Sequence, residues 1–321
     1  MIQHATPSLP EVSQLANRIA QEMSRVIEGK PRQIQMAVTV LLAEGHLLIE
    51  DVPGVGKTVL AKALGRAIQG DVKRIQFTPD LLPSDVTGVS VFNQSTREFE
   101  FKPGGIFAHI VLGDEINRAS PKTQSALLEA MAESQVSVDG HTHRLNQPFM
   151  VIATQNPIEM EGTYPLPEAQ RDRFMARITM GYPARQAEVA MLTNHAAGNQ
   201  LAAVQPVTDA ATIASAIAAI GTVYVAPVIN EYIVALVEAT RHHPELRLGA
   251  SPRSALHLMR ASRVAAALAG RDYVIPEDAK ALAVDVLAHR LLPTVEAQVA
   301  RHDPADIMAT IVNSIATPER G

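Results

Sequence analysis

Asp51-Val52-Pro53-Gly54-Val55-Gly56-Lys57-Thr58 gathers two glycines, a lysine and a hydroxyl in one short stretch. Glycine lets the backbone come close to an anion, and successive N–H groups with a following helix N-terminus then converge on phosphate. Lys57 would reach the β/γ-phosphates as a point charge, and the Thr58 hydroxyl would ligate Mg²⁺. The generic pattern has Gly where this chain has Asp51; Asp tolerates left-handed backbone, but its charge opposes a nearby phosphate. Ile110-Val111-Leu112-Gly113-Asp114-Glu115 is an apolar run ending in two carboxylates. Asp114 would hold the Mg²⁺ hydration shell, and Glu115 would polarise an attacking water as general base. A strand ending in Asp-Glu is by itself a common solvated strand end. Paired with the glycine-rich loop, it reads as an ATP hydrolysis site.

Three further residues are candidates. Asn156, after Thr154-Gln155, could orient the lytic water or touch the γ-phosphate; alone, it is equally an ordinary turn residue before Pro157. Arg171, Arg173 and Arg177 cluster, and the first and last read as a solvated or ion-paired face. Arg173, between Asp172 and Phe174, fits an arginine supplied to a neighbouring subunit's nucleotide, a device that contributes about 10³–10⁵ in turnover. Arg253 follows Ser251-Pro252 at a helix start, where it is either an exposed helix residue or one that reaches back to the γ-phosphate.

These residues need a scaffold. Up to about Tyr182, short β-rich runs alternate with helical stretches, which predicts an α/β layered domain. Leu47-Leu48-Ile49, Ile110-Val111-Leu112 and Phe149–Ala153 are strands; Thr58–Ile68 and Pro121–Glu133 are helices, the latter capped by Ser120. Asp139-Gly140 predicts a hairpin over Gln135–Leu145, and a second hairpin falls near Val89–Phe101 about the polar turn Asn93–Arg97. Beyond Tyr182-Pro183, apolar residues recur at helical spacing in Ala184–His195, Ala211–Ile220, Val228–Arg241, Pro252–Ala269, Pro276–Leu291 and Pro304–Ile315, predicting an all-α second domain.

Composition narrows the function. The 321 residues suit two domains, and 47% apolar with 19% charged residues is ample for a core. A formal net charge of −5, 4% aromatic residues and no Trp disfavour wrapping of nucleic acid. The absence of Cys excludes disulfides, Cys-ligated zinc and thiol nucleophiles. His141, His143, His242 and His243 lack the spacing of zinc hydrolases, and no Gly-x-Ser-x-Gly elbow occurs. Met1–Pro10 is not a secretory signal, and the uncharged stretch Ala210–Asn230 carries Gly221 and Pro227, which suits a buried helix rather than a membrane span. The chain reads as cytoplasmic.

Several of these stretches together resemble the MoxR family of AAA+ ATPases. They are Gly45–Thr58, Asp114–Ala119, Thr123–Met131, Ala153–Pro157, Glu161–Gln170, Ser251-Pro252-Arg253 and Gly270–Asp278. The resemblance is dense from about Val26 to Tyr182. It implies a P-loop AAA+ α/β/α core with a parallel sheet over residues 1–185, and a smaller all-α lid over 186–321. The core would carry a helix-2 insert near 88–102 and a pre-sensor hairpin at 135–146, both projecting towards a central pore. The resemblance also implies ATP or ADP held between core and lid. Val26, Ile27 and Gly29 would line the adenine, and Pro53, Gly54, Val55, Gly56, Lys57, Thr58 and Val59 the phosphates, with Mg²⁺ at Thr58 and Asp114. Catalytic roles then fall to Glu115, Asn156 as sensor 1, Arg173 as arginine finger and Arg253 as sensor 2. Arg171 departs from the family, standing where an apolar residue is usual before Asp-Arg-Phe. Family members form rings, typically hexamers, and act as chaperone-like activators of protein clients, often with a partner bearing a von Willebrand factor A domain. The alternatives are the motor subunit of a metal chelatase and a nucleic-acid translocase.

Overall fold

The computed structural model describes residues 6–157, 163–183, 185–186, 188–189 and 200–318. Its centre is a five-stranded parallel sheet in the order β2-β5-β8-β1-β9. These strands are β1 (Leu47–Glu50), β2 (Val72–Gln76), β5 (Ile110–Asp114), β8 (Met150–Gln155) and β9 (Ala176–Ile178). Between them run α3 (Lys57–Ala67), α4 (Pro83–Thr87), α5 (Pro121–Glu133) and α6 (Glu168–Arg171). Two hairpins interrupt the alternation: β3 (Gly88–Asn93) with β4 (Glu98–Pro103), and β6 (Gln135–Val138) with β7 (His141–Arg144).

The period-2 rule explains why the central strands are apolar throughout. Leu47, Ile49, Ile110, Leu112, Met150 and Ile152 point into one apolar cluster, while Leu48, Val111, Val151 and Ala153 point into the other. The first cluster is closed by α1 (Leu9–Ser24), α2 (Pro31–Leu42), α3 and the C-terminal helices. The second is closed by α4 and α5. Ser120 caps α5, its hydroxyl accepting from the Thr123 amide, as expected. The predicted hairpins form in register. Asp139 (φ 51°) and Gly140 (φ 79°) both take positive φ, the requirement of a type I′ turn.

The chain after residue 200 is helical: α7 (Ala210–Gly221), α8 (Pro227–Arg241), α9 (Pro252–Leu268), α10 (Pro276–Leu287), α11 (Val295–Val299) and α12 (Pro304–Ser314). Proline opens four of these, at positions where no backbone donor is needed. One small strand pair, β10 (Leu246–Leu248) with β11 (Leu292–Pro293), is added to the expected helices. The uncharged stretch 210–230 is broken at Gly221, so its two halves belong to different helices. Among the described residues, no helix is long and apolar enough to cross a membrane. The expected helix Ala184–His195 lies largely outside the described residues.

Asp172 joins the two parts. Its Oδ1 accepts from Arg290 Nε at 2.9 Å, from Ser251 Oγ at 2.8 Å and from Ser254 Oγ at 3.2 Å. Arg290 is 5% exposed, and burial lowers its pKa to about 10, opposed by the Asp172 charge.

Candidate functional site

The loop between β1 and α3 is shaped by its glycines. Gly54 (φ 85°) and Gly56 (φ 93°) take the left-handed region, and nothing lies within 4 Å of the place where a Cβ would stand on either. Gly56 is also the N-cap of α3 and offers no side chain, so the helix start is left open to an outside anion. Asp51 does not take the left-handed conformation, contrary to the reason for tolerating it in the sequence. Its carboxylate instead accepts from the Val52 amide at 2.8 Å and from the Gly181 amide at 2.5 Å. The charge is thus engaged by backbone donors, one of them beyond β9. The Asp51 carbonyl accepts from Lys57 Nζ at 2.6 Å.

Parallel register brings the carboxylates to this loop, because β5 and β1 flank β8 and all three end on the same side of the sheet. A cavity of about 310 Å³ is lined by Pro53, Gly54, Gly56, Lys57, Thr58, Arg74, Asp114, Glu115 and Asn156. Eight of the predicted residues are therefore brought together. Glu115 sits at φ 57°, ψ 50°, a costly conformation for a non-glycine residue. Its backbone N–H donates to Thr154 Oγ1 at 2.9 Å, and Thr154 in turn donates to Asp114 Oδ1 at 2.6 Å. Gln76 Nε2 donates to Glu115 Oε2 at 2.9 Å, while Arg118 approaches the same oxygen at 3.3 Å.

Other predicted residues stand elsewhere. Val26, Ile27 and Gly29 lie between α1 and α2, with Ile27 buried, and do not line this cavity; neither do Val55 and Val59. Arg173 and Arg253 share a second cavity of about 370 Å³ with Glu44, His46, Ser134, His257 and Arg260, and no residue of the glycine-rich loop lines it. Arg173 Nη1 donates to the Leu128 carbonyl at 2.5 Å, and Arg253 is 3.9 Å from Asp172. Sequence reasoning missed Arg74, Gln76 and Thr154. All three act across strands, so their partners lie far away in sequence.

The cradle suits a polyphosphate: open glycine backbone, an uncapped helix start, one lysine, and a hydroxyl and a carboxylate close together. Comparison with known proteins decides between the possible owners of such a cradle. Residues 46–176 match the ATPase family associated with various cellular activities (AAA), and residues 238–311 match the AAA lid domain. The chain is 41% identical to chaperone MoxR1 of Mycobacterium tuberculosis, over 93% of this chain and 81% of that one. It is 33% identical to protein MoxR of Methylorubrum extorquens, over 94% and 95% of the two chains. The chain belongs to the MoxR family of AAA+ ATPases. It is also 48% identical to the uncharacterised protein YeaC of Bacillus subtilis, over 95% of both chains. A crystal structure of a Cytophaga hutchinsonii protein, 37% identical, matches it with a TM-score of 0.89 over 97% of this chain and 98% of that one. This MoxR-family chain is therefore a nucleotide-binding ATPase, with the AAA+ core and helical lid that the motifs predicted.

Proposed function

We propose that this protein is a Mg²⁺-dependent ATPase whose site is split between neighbouring copies, and that it remodels or activates protein clients. The observation that carries the reading is the segregation of the two cavities. One holds the phosphate cradle and the carboxylates; the other holds Arg173 and Arg253, with no cradle residue between them. Arginines that line a cavity other than their own cradle's can serve the next protomer's nucleotide. We extend this to Arg253, which sequence alone left open between the same and the neighbouring subunit.

Within the cradle, Gly54 to Thr58 bind the phosphates through backbone N–H groups, and Lys57 leaves the Asp51 carbonyl to meet the β/γ-phosphates. Thr58 and Asp114 would hold Mg²⁺, which would supply neutralisation of the charge on the β- and γ-phosphates. Glu115 accepts the proton of the attacking water, and Asn156 orients that water. Val26, Ile27 and Gly29 contact the adenine. The division between core and lid falls near residues 185/186, with a hexameric ring as the working assembly. The relative named chaperone MoxR1 supports a protein client; a partner bearing a von Willebrand factor A domain follows from the family resemblance. A cytoplasmic location is part of the same proposal.

The test is nucleotide binding and phosphate release by three proteins. Wild type binds a fluorescent ATP analogue and releases phosphate. Lys57→Ala loses binding while keeping its circular dichroism. Glu115→Gln binds but turns over at least about a hundredfold more slowly, as loss of a general base predicts. Equal ATP affinity in wild type and Lys57→Ala would remove the cradle from the account.

A further inference from the structure

Arg74 stands on β2, an edge strand. In the folded chain it lies beside Leu112 in register, and its guanidinium reaches along the sheet to Asp114. Nε and Nη2 approach the same carboxylate oxygen, Oδ2, at 3.0 and 2.6 Å. Nη2 also donates to Gln76 Oε1 at 2.6 Å, and Gln76 reaches Glu115. The other Asp114 oxygen is taken by the Thr154 hydroxyl. Both oxygens of the carboxylate that would hold a divalent cation are thus engaged within the chain, one of them by a full positive charge. Arg74 lines the phosphate cavity, and its side chain is 51% exposed, so it can leave Asp114 without crossing packed protein.

We propose that Arg74 is a resident cation competitor at Asp114, a positioning residue that yields the carboxylate to the divalent ion arriving with nucleotide. This rests on the reading that Asp114 and Thr58 seat Mg²⁺. While no divalent ion is bound, the guanidinium neutralises Asp114 and so limits its repulsion of an incoming polyphosphate. Mg²⁺ held at Thr58 and Asp114 would compete with the guanidinium for the Asp114 carboxylate, and the half-exposed Arg74 side chain has room to turn aside.

The consequence is a particular linkage between metal and nucleotide. Wild type loses comparatively little ATP affinity when Mg²⁺ is removed, because Arg74 stands in for it. The experiment measures the dissociation constant of a fluorescent ATP analogue for the full chain in EDTA and in saturating Mg²⁺, and takes the ratio. Arg74→Ala raises that ratio by about tenfold, the effect of leaving the Asp114 charge unneutralised beside the polyphosphate, chiefly through weaker binding in EDTA. Arg74→Lys, which keeps the charge, restores a ratio near wild type. Arg74→Gln, which keeps the contact to Asp114 but not the charge, follows Arg74→Ala and serves if that variant melts early. An unchanged or lower ratio in folded Arg74→Ala or Arg74→Gln overturns the proposal, as does a loss of binding in Mg²⁺ equal to that in EDTA. Undiminished binding by Lys57→Ala would instead sink the site reading beneath it.

Discussion

At the scale of single residues, the site region is built on groups whose charge state the fold dictates. His46, just before β1, is enclosed: its Nε2 lies 3.1 Å from the Met131 carbonyl, and its Nδ1 accepts from the Val151 amide at 3.0 Å. That pair of partners requires the neutral ring with its proton on Nε2, since a second proton on Nδ1 would face a donor. Burial accordingly pushes the His46 pKa down to about 4, opposed by the Met131 carbonyl. His257 is held down to about 2, chiefly by burial and then by the charge of Arg290, and His289 is lowered by the same two causes. The sign follows directly. A histidine with a depressed folded pKa binds its proton in the unfolded chain first, so its stabilisation is whole above about pH 6.5 and drains as pH falls towards the folded value. For His46 the drop between pH 6.5 and 4 amounts to about 3 kcal/mol. Thermal melts across that window should show His46→Gln with a shallower loss of stability, by up to about 1.4 kcal/mol per pH unit. Gln can still bond both backbone partners, so a slope identical to wild type would show that His46 does not take up the proton.

At the scale of elements, what holds the loop at its angle is a tie across the sheet. Asp51 reaches past β1 to the Gly181 amide, beyond the end of β9, while its other oxygen closes on Val52. Removing the carboxylate leaves two donors to find other partners, a cost of about 1–3 kcal/mol. Asp51→Ala should therefore melt lower by that amount in chemical denaturation, with the slope against denaturant unchanged; a neutral result would show that water replaces the tie. The same elements show what sequence can and cannot disclose. The loop, β1, β5 and β8 were legible because central parallel strands are apolar on both faces and a strand–glycine loop–helix order is locally encoded. The edge strands were not. β2 reads Val-Lys-Arg-Ile-Gln, with only Ile75 buried, and β9 is three residues long, so neither carries a periodic signal. Since β2 was invisible, so were Arg74 and Gln76, whose meaning depends on lying beside β5. α1 and α2 also went unplaced, although α1 is capped by Ser8 with Glu11 reaching back to it at 2.7 Å. Attention to that capping box would have found α1.

At the scale of the whole molecule, the seam between core and helical part brings Arg173 and Arg253 to one cavity. Asp172 takes Arg290, Ser251 and Ser254 together, so the residue before Arg173 and the helix start carrying Arg253 are clamped to one carboxylate. Arg253, His257 and Arg260 recur on one face of α9 and look into the cavity that Arg173 lines. On the reading that these arginines serve another copy, a mixing experiment has a sharp outcome. Lys57→Ala protomers keep the arginines but lack a working cradle. Arg173→Ala protomers keep the cradle, bind nucleotide, and alone should turn over about 10³-fold or more slowly than wild type. Equimolar mixing in a ring of equivalent subunits places an intact cradle against an intact arginine at about a quarter of the interfaces. Phosphate release should then recover to about a quarter of the wild-type rate if sites fire independently. Arg253→Ala mixed with Lys57→Ala should behave alike if Arg253 serves the neighbour, and should stay silent if it serves its own nucleotide. Should neither mixture recover although both pairs co-assemble by native mass spectrometry, the arginines act within their own protomer, and the separation of the two cavities has to close up when nucleotide binds.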